Sequence, residues 1–238
     1  MAGRRPYRPR LDGETLRAFQ TRLLRWFRKH GRDLPWRKTR DPYKILVSEV
    51  MLQQTQVDRV RGYYERFLRE YPTVRDLAMA HPARVREAWE GLGYYARARN
   101  LHAAARDVAR RHDGSFPRRL AEVMALPGVG RYTAGAVLSF AYGEPAPVLD
   151  TNVRRLLSRV FVWRRPASRA QFDRRLWALA ENTIPARHAW AFNQALMDLG
   201  ATVCTARGPN CGICPMRSIC AYYGRTSGTH THFAEDEP

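Results

Sequence analysis

Long apolar runs are absent from this sequence of 238 residues. No segment approaches the roughly eighteen uninterrupted apolar residues that a membrane-spanning helix needs. The basic start MAGRRPYRPR is not followed by the apolar stretch typical of a secretion signal. We therefore expect a protein that is neither exported nor bound in a membrane and that acts in the cytoplasm.

Acidic residues and lysine are both scarce. The chain has 22 Asp and Glu against 41 Lys and Arg, which gives a formal net charge of +19. This balance is not typical of an enzyme for small neutral substrates and indicates a polyanionic partner. Lysine occurs only at positions 29, 38 and 44, so nearly all the positive charge is arginine, whose planar fork binds phosphate. A genome rich in arginine codons would explain the ratio of Arg to Lys, but not the net charge.

Cysteine is absent outside one short segment, which excludes disulfide bonds between distant parts of the chain. The cysteines have six, two and five intervening residues, a compact set that indicates a metal site in a reducing compartment. Zinc sites usually use two separated Cys-x2-Cys pairs, and only one such pair occurs here. The spacing favours an iron–sulfur cluster, and zinc is the alternative. The predicted ligands are Cys204, Cys211, Cys214 and Cys220.

No stretch keeps up the alternation of apolar and polar residues that predicts a β-strand. Helical periodicity dominates instead, as in LRAFQTRLLRWFRKH from Leu16, and we predict an all-α fold. Short turns with Pro or Gly separate the helices. The predicted helices span residues 14–30, 43–56, 57–71, 84–90, 96–113, 118–125, 131–142, 151–161, 169–181 and 187–203.

The two ends of the chain differ from the middle. Residues 1–12 are rich in Arg and Pro, and the stretch from Gly224 is polar without periodic apolar positions. We predict that residues 1–12 form a disordered basic arm and that residues 224–238 form a disordered tail.

The turn LPGVG, residues 126–130, precedes a predicted helix. Gly128 and Gly130 can take backbone angles closed to other residues, so that their amides can point outward at the start of the helix. Such a turn predicts an anion site for a DNA phosphate. The alternative is a plain connection between two helices, because the same motif also joins helices that bind nothing.

Two carboxylates have unusual surroundings. Glu49 lies in YKILVSEVMLQQTQV, on a predicted helix that is apolar most of the way round, where a carboxylate is costly to ionise. We predict that burial raises the pKa of Glu49 and leaves it protonated near neutral pH, as a general acid must be. A Glu on a narrow polar strip beside Gln53 is the alternative. Asp150, in VLDTNVRRLL, lies at an N-cap position, where Asp is also favoured for stability alone.

A neutral Glu and an ionised Asp are together the pair that breaks a glycosidic bond. One protonates the leaving group and the other stabilises an oxocarbenium-like sugar. In DNA the corresponding bond joins a base to deoxyribose. A non-catalytic DNA-binding module is the alternative from another class, but such a module has no use for a carboxylate in an apolar helix.

The sequence resembles the helix-hairpin-helix DNA glycosylases and, within them, the MutY adenine glycosylases. The resemblance runs from about Leu34 to Cys220. It implies a monofunctional glycosylase of base excision repair that flips and excises adenine opposite 8-oxoguanine or guanine in double-stranded DNA. The segments that carry it are LPWR, SEVMLQQTQV, GLGYYARARNLHAAA, LPGVGRYTAGAVLS, LDTNVRRLLSR, FNQALMDLGA and the four cysteines.

The resemblance also implies an architecture. A six-helix barrel domain, residues 33–142, would hold the hairpin. A second helical domain, residues 13–32 with 143–223, would carry a [4Fe–4S] cluster, and the active site would lie in the cleft between the two. We expect a monomer that binds DNA with a mismatched or damaged base pair, binds no membrane, and is associated with the nucleoid in a prokaryote.

Site residues follow by resemblance. Glu49 is similar to the general acid that protonates the purine, Asp150 to the carboxylate that faces the sugar, and Tyr132 and Asn152 to their partners in the active site. Gln54 and Tyr94 are similar to residues that enter the base stack beside the flipped nucleotide. Further predicted DNA contacts are Gln53, Thr55, Gly128, Val129, Gly130 and Arg131.

Three comparisons within the resemblance bear on activity. Endonuclease III enzymes have a lysine where Tyr132 stands, and this amine attacks the sugar and then cuts the strand, so we expect base release here without strong lyase activity. MutY enzymes continue into a C-terminal domain that recognises 8-oxoguanine, which we expect this chain to lack. Short relatives that remove thymine or uracil opposite guanine share the tyrosine and the aspartate. They are the alternative, as is a hypoxanthine glycosylase, although Gln53 and Gln54 resemble the adenine enzymes.

Overall fold

The structure is a computed structural model that describes residues 12–162 and 168–227. Within these ranges it contains α-helices, two short 3-10 helices and no β-strand, which confirms the predicted all-α fold. The chain divides into two compact units. We call residues 33–148 the hairpin unit, and residues 1–32 with residues 149–238 the cysteine unit. The division at 148/149 lies six residues beyond the predicted one at 142/143.

Side-chain caps fix the start of several helices. The Asp12 carboxylate accepts a hydrogen bond from the amide of Thr15 at 2.7 Å, and Asp41 accepts one from Tyr43 at 2.9 Å. The helices are α1 (Gly13–His30), α2 (Pro42–Leu52), α3 (Val57–Glu70), α4 (Val74–Met79), α5 (Pro82–Ala88), α6 (Ala96–Arg111), α7 (Leu120–Met124), α8 (Arg131–Tyr142), α9 (Thr151–Phe161), α10 (Arg169–Thr183), α11 (Ala189–Thr202) and α12 (Ala221–Ser227), and the 3-10 helices are Pro35–Arg37 and Arg217–Ile219.

Helix α2 is the central element of the hairpin unit. It packs against α3, α6 and α8, and every residue from Ile45 to Met51 is buried. Gly135 lets α8 approach the segment that follows it, because a Cβ at this position would lie 2.2 Å from the carbonyl oxygen of Pro147. A helix buried on all sides can hold a polar side chain away from water, and α2 does so at Glu49.

Two local features of the hairpin unit differ from the sequence prediction. Helix α2 ends at Leu52, four residues before the predicted end, because Gln54 has a φ of +57° that no α-helix accommodates. Helix α4 was not predicted. A capping box stabilises its start, in which Thr73 and Asp76 satisfy each other's backbone amides.

The core of the cysteine unit joins both ends of the chain. Helix α1 packs against α11, and α9 packs against α10, α11 and α12. The ring of Phe19 lies 4.8 Å from that of Phe161 and 5.9 Å from that of Phe192. Asp198, which is fully buried, accepts hydrogen bonds from the backbone and the side chain of Arg32 at 3.0 and 2.7 Å. These contacts fix the N-terminal helix to the C-terminal half of the unit.

The predicted disordered tail is wrong for residues 224–227. These residues complete α12, which packs on α9 and in which the amide of Gly224 donates to the carbonyl of Cys220 at 3.0 Å. Hydroxyl groups of Thr226 and Ser227 bond to carbonyls one turn earlier, so the polar composition does not prevent a helix here. Residues 1–11 and 228–238, where the rest of the arm and the tail were predicted, lie outside the described residues. None of the described helices has the length and apolarity needed to cross a bilayer.

Candidate functional site

The carboxyl group of Glu49 is buried in the middle of α2. Glu49 is 3% exposed, and the residues around it from Ile45 to Met51 are all buried and, except for Ser48, apolar. The hydroxyl of Tyr132 donates a hydrogen bond to Oε2 of Glu49 at 2.8 Å. Two residues that lie 83 positions apart in the sequence therefore meet in one partly buried contact.

Tyr132 reaches Glu49 because it lies in the first turn of α8, directly after the LPGVG turn. Gly128 in this turn has a φ of +73°, where a side chain is strained, and a Cβ there would lie 2.5 Å from the side chain of Asn100. Gly130 has an ordinary φ of −90° and forms the N-cap of α8 without a side-chain cap. The predicted need for unusual backbone angles is thus confirmed for Gly128 and wrong for Gly130.

The missing side chain of Gly130 leaves open space at the start of α8. A Cβ at this position would have no atom within 4 Å. Arg131, the first residue of α8, is exposed, whereas Val129 is 7% exposed and its amide donates to the carbonyl of Leu126 at 3.1 Å. An anion at this helix start could therefore approach closely, while Val129 anchors the turn in the core.

The predicted base-stack residues lie on two short loops of the hairpin unit. Gln54 is exposed and follows the end of α2, and Tyr94 is 64% exposed and lies just before α6. Both have positive φ values, +57° and +49°, which are uncommon for residues with side chains. Gln53 and Thr55 flank Gln54 and are partly buried. Tyr94 is thus a large aromatic side chain held out in solvent on a strained backbone.

In the cysteine unit, Asp150 is the N-cap of α9, as predicted. Its Oδ1 accepts from the amide of Val153 at 2.6 Å, and its Oδ2 accepts from Nδ2 of Asn152 at 3.0 Å. Burial raises the pKa of Asp150 above that of an ordinary aspartate, while these hydrogen bonds and the charge of Arg155 act in the opposite direction. The carboxylate is thus desolvated but has donors for its charged form.

Arg155 is a residue of this site that the sequence did not reveal. Its Nη2 donates to Oδ1 of Asn152 at 2.8 Å and to the carbonyl of Gly200 at 2.6 Å. Its Nε donates to the carbonyl of Cys204 at 2.7 Å. Arg155 therefore fixes the amide of Asn152 that bonds Asp150, and connects it to the cysteine segment. Nothing in the sequence distinguishes it from the many other arginines.

Gly200 allows this contact between α9 and α11. A Cβ at position 200 would lie 2.8 Å from the carbonyl oxygen of Asn152 and 2.9 Å from its Cβ. Helix α11 can therefore approach the start of α9 only with glycine at this position.

The four predicted ligands lie in one short segment, residues 204–220, that packs on α9. Cys204 and Cys220 are buried, and Cys211 and Cys214 are partly buried. Burial raises the pKa of Cys214 to about 11, and the charges of the other three thiols act in the same direction. Burial likewise raises the pKa of Cys220. These two thiols, when unliganded, are therefore favoured in their protonated form, and iron that binds them would displace their protons.

The donors around these thiols fit an iron–sulfur cluster. Arg159 donates from Nη1 to Sγ of Cys204 at 3.4 Å and to the carbonyl of Thr205 at 2.7 Å. Hydrogen bonds and positive charge near cluster sulfurs are a usual means of stabilising such a group. Within the described ranges, no three His, Cys, Asp or Glu side chains are arranged to hold a single metal ion.

Two family models match the chain. The model of the HhH-GPD superfamily of base excision DNA repair proteins matches residues 47–182. The model of the iron–sulfur binding domain of endonuclease III matches residues 204–220, from the first predicted ligand to the last. The second match confirms the predicted iron–sulfur cluster.

Known relatives include glycosylases of more than one specificity. The chain is 43% identical over 229 residues to the adenine DNA glycosylase of Rattus norvegicus, and this match covers 92% of the chain and 44% of the rat protein. A thermostable thymine-DNA glycosylase structure matches with a TM-score of 0.80 and 31% identity, over 90% of this chain and 98% of that one. A trapped covalent intermediate of endonuclease III with DNA matches with a TM-score of 0.76 and 25% identity, over 91% of this chain and 99% of that one.

Substitution of Gly200 tests the packing at the start of α9. Because the new methyl group would overlap the backbone of Asn152, we expect Gly200→Ala to lower the free energy of unfolding by about 1–3 kcal/mol. Gly62→Ala is the control, since this helical glycine has no atom within 4 Å of its Cβ and should gain about 0.5–1 kcal/mol. Urea denaturation measures both. A Gly200→Ala variant as stable as the wild type would contradict the close approach.

Substitution of one cysteine tests the cluster. We expect the purified protein to be brown, with broad absorption near ~400 nm, and Cys211→Ser to lose iron and become poorly soluble. Ile213→Ser is the control, because Ile213 lies in the same segment and is already 65% exposed. Iron, zinc and acid-labile sulfide would be measured in all three proteins. Stoichiometric zinc without iron, in aerobic and anaerobic preparations alike, would contradict this assignment.

Proposed function

We propose that this chain, which belongs to the HhH-GPD superfamily of base excision DNA repair proteins, is a DNA glycosylase that hydrolyses the bond between deoxyribose and a mispaired adenine. The observation that carries the proposal is the hydrogen bond from Tyr132 to the buried Glu49. A module that only binds DNA gains nothing from a carboxyl group in its apolar core, where an ionisable group is costly. A general acid, in contrast, needs to be protonated near neutral pH, and burial favours the neutral form of a carboxyl group.

The adenine specificity is supported by the relatives and by chemistry. The rat protein is named an adenine DNA glycosylase, and the present chain spans 44% of its length. A general acid assists most when the leaving base has a basic ring nitrogen. Adenine and hypoxanthine have one at N7, and thymine does not. Glu49 would protonate this nitrogen, and Tyr132 would hold the carboxyl group in position through its bond to Oε2.

Asp150 would act on the sugar. As the base leaves, positive charge develops on the deoxyribose, and a carboxylate close to it lowers the barrier. This role requires the charged form of Asp150, which burial disfavours and which the donors from Val153 and Asn152 favour. Water would then attack the sugar, because Tyr132 stands where a lyase needs an amine nucleophile.

The expected partner is double-stranded DNA that contains a mismatched base pair, bound by a monomer. The start of α8 can accept a backbone phosphate, because its N-cap residue Gly130 has no side chain and leaves room there. Gln54 and Tyr94 would enter the stack where the target nucleotide is flipped out. The net charge of +19 supports binding that weakens steeply with salt.

Thymine excision is the second candidate. The structure of a thymine-DNA glycosylase matches with a TM-score of 0.80, and the match covers 98% of that protein against 44% of the rat adenine enzyme. Gln53 and Gln54 favour adenine by resemblance. The two candidates differ in the base that is released, which can be measured.

Single-turnover assays on defined duplexes test the proposal. We expect release of adenine opposite 8-oxoguanine and guanine, and little action on thymine or uracil opposite guanine. Glu49→Gln should lower the rate by about 10²–10⁴-fold, because it removes the proton donor but keeps the shape, and DNA affinity should stay within a few fold. Glu144→Gln, at an exposed position after α8, is the matched control.

Two results would count against this assignment. Efficient release of thymine or uracil with none of adenine would favour the second candidate. A Glu49→Gln variant that turns over at the wild-type rate would remove Glu49 from the mechanism.

Borohydride trapping tests the absence of lyase activity. An imine between a lysine and the sugar is reduced to a stable adduct, and position 132 offers no amine. We therefore expect no trapped protein–DNA adduct while the base is still released. A trapped adduct that disappears on substitution of Lys29, Lys38 or Lys44 would show that another amine takes over this step.

A further inference from the structure

Arg97 is buried between two loops of the hairpin unit. It lies in the first turn of α6 and is 8% exposed. One loop, residues 53–55, follows α2, and the other, residues 91–94, precedes α6. A buried guanidinium needs acceptors for its donors. The acceptors of its two terminal nitrogens come from the end of α2 and from both loops, whereas Nε has no hydrogen-bond partner among the described residues.

One nitrogen of the guanidinium holds the end of α2 and the 53–55 loop. Nη1 has two N–H groups, and they are shared among four acceptors within hydrogen-bond distance: the carbonyl oxygens of Val50 at 3.1 Å and Met51 at 2.9 Å, the carbonyl oxygen of Gln53, and Oγ1 of Thr55 at 3.2 Å. The carbonyls in the last turn of a helix have no partner within the helix, and a cation there is favoured by the helix dipole. Arg97 therefore closes the C-terminal end of α2 and fixes the loop that leaves it.

The other nitrogen holds the 91–94 loop. Nη2 donates to the carbonyl of Leu92 at 3.0 Å and to that of Gly93 at 3.1 Å. The guanidinium carbon also lies 5.5 Å from the centre of the Tyr94 ring, within the range of a cation–π contact. One rigid planar group thus contacts both loops.

The bound segments flank the strained residues of these loops. Gln54, with a φ of +57°, lies between Gln53 and Thr55, and Tyr94, with a φ of +49°, follows Gly93. A left-handed backbone at residues with side chains persists only where the surroundings hold it in place. Arg97 supplies such contacts next to both positions at once.

We propose that Arg97 is a positioning residue that holds the 53–55 and 91–94 loops in one fixed arrangement, so that Gln54 and Tyr94 enter DNA together. The inference rests on the proposed function for its substrate, but it concerns a residue that need not touch DNA or the reacting atoms. It also explains why Arg97 is buried. An arginine that only binds a DNA phosphate would be exposed, whereas one that holds two loops must lie between them.

The geometry requires arginine in particular. Burial lowers the pKa of Arg97, yet an arginine starts so far above neutral pH that it stays charged. A lysine ammonium is a single point with three donors, so it can bond to one loop but cannot bridge carbonyls on opposite sides of a planar fork. Arg97→Lys therefore keeps the charge and most of the volume and removes the link.

Arg97→Lys is compared with Arg106→Lys, the same change at an exposed position of the same helix. We expect the Arg97 variant to keep its iron content and its affinity for fully paired duplex within a few fold. Its single-turnover rate on an A:8-oxoG duplex should fall roughly tenfold to a hundredfold, because the two strained residues lose their common support. Arg106→Lys should match the wild type. An unchanged rate in Arg97→Lys would overturn the proposal.

A double-mutant cycle separates positioning from general stability. If Arg97 acts through Gln54 and Tyr94, adding Arg97→Lys to a variant that carries Gln54→Ala and Tyr94→Ala should slow that variant by no more than a few fold. Effects that multiply instead would overturn the proposal, since they would mean that Arg97 acts by another route.

Binding is followed in the Glu49→Gln background, with 2-aminopurine placed beside the mispaired adenine. Insertion of the loops into the stack should raise its fluorescence, and Arg97→Lys should abolish this rise at saturating protein. A rise of wild-type size would overturn the inference. If the parent protein excises no base from any duplex, the proposed function fails, and the fluorescence comparison still decides the role of Arg97.

Hydrogen exchange decides the matter if Arg97→Lys does not fold. Because one side chain holds both loops, the amides of Thr55 and Leu92 in the wild-type protein should open together, with exchange protection within about threefold of each other. Protection that differs by tenfold or more would show that the loops open independently, contrary to the proposal.

Discussion

Hydrogen bonds from arginine side chains to backbone carbonyls hold the chemically important segments of both units in place. A guanidinium has five donors in a rigid plane, so one side chain can satisfy carbonyls from several segments. Arg97 does so for two loops of the hairpin unit, and Arg155 does so for Gly200 and Cys204. Each buried carbonyl left without a donor would cost about 1–3 kcal/mol, so removal of such an arginine disturbs every segment that it joins.

This role changes the interpretation of the charge. The excess of arginine was attributed to a polyanionic partner, and exposed residues such as Arg131 fit that interpretation. Arg97 and Arg155, however, form their hydrogen bonds inside the protein, and Arg159 donates to the cysteine segment. Net charge therefore indicates the kind of partner but overstates the number of side chains available to it.

The residues that could be predicted from the sequence are those whose local surroundings are chemically unusual. Glu49 is a carboxylate in an apolar run, Asp150 lies at a helix start, and the cysteines share one short segment. Most of the helices could be predicted for the same reason, because periodicity is local, whereas the short helices α4 and α12 could not. Arg97 and Arg155 could not be found in this way, since their partners are backbone carbonyls, which have no sequence signature. The early end of α2 was missed because glutamine has no preference for the left-handed region that Gln54 adopts.

Asp150 shows why a stabilising role and a chemical role need not compete. An N-cap needs one carboxylate oxygen, and Oδ1 supplies it to Val153. The other oxygen accepts from Asn152, whose amide group is in turn fixed by Arg155. A capping aspartate on the surface would need neither contact, and its pKa would not be raised by burial as that of Asp150 is. The second oxygen, its donor and the arginine behind it are therefore what distinguishes this carboxylate from an ordinary cap, and all three are held by the same close approach of α11 to α9 at Gly200.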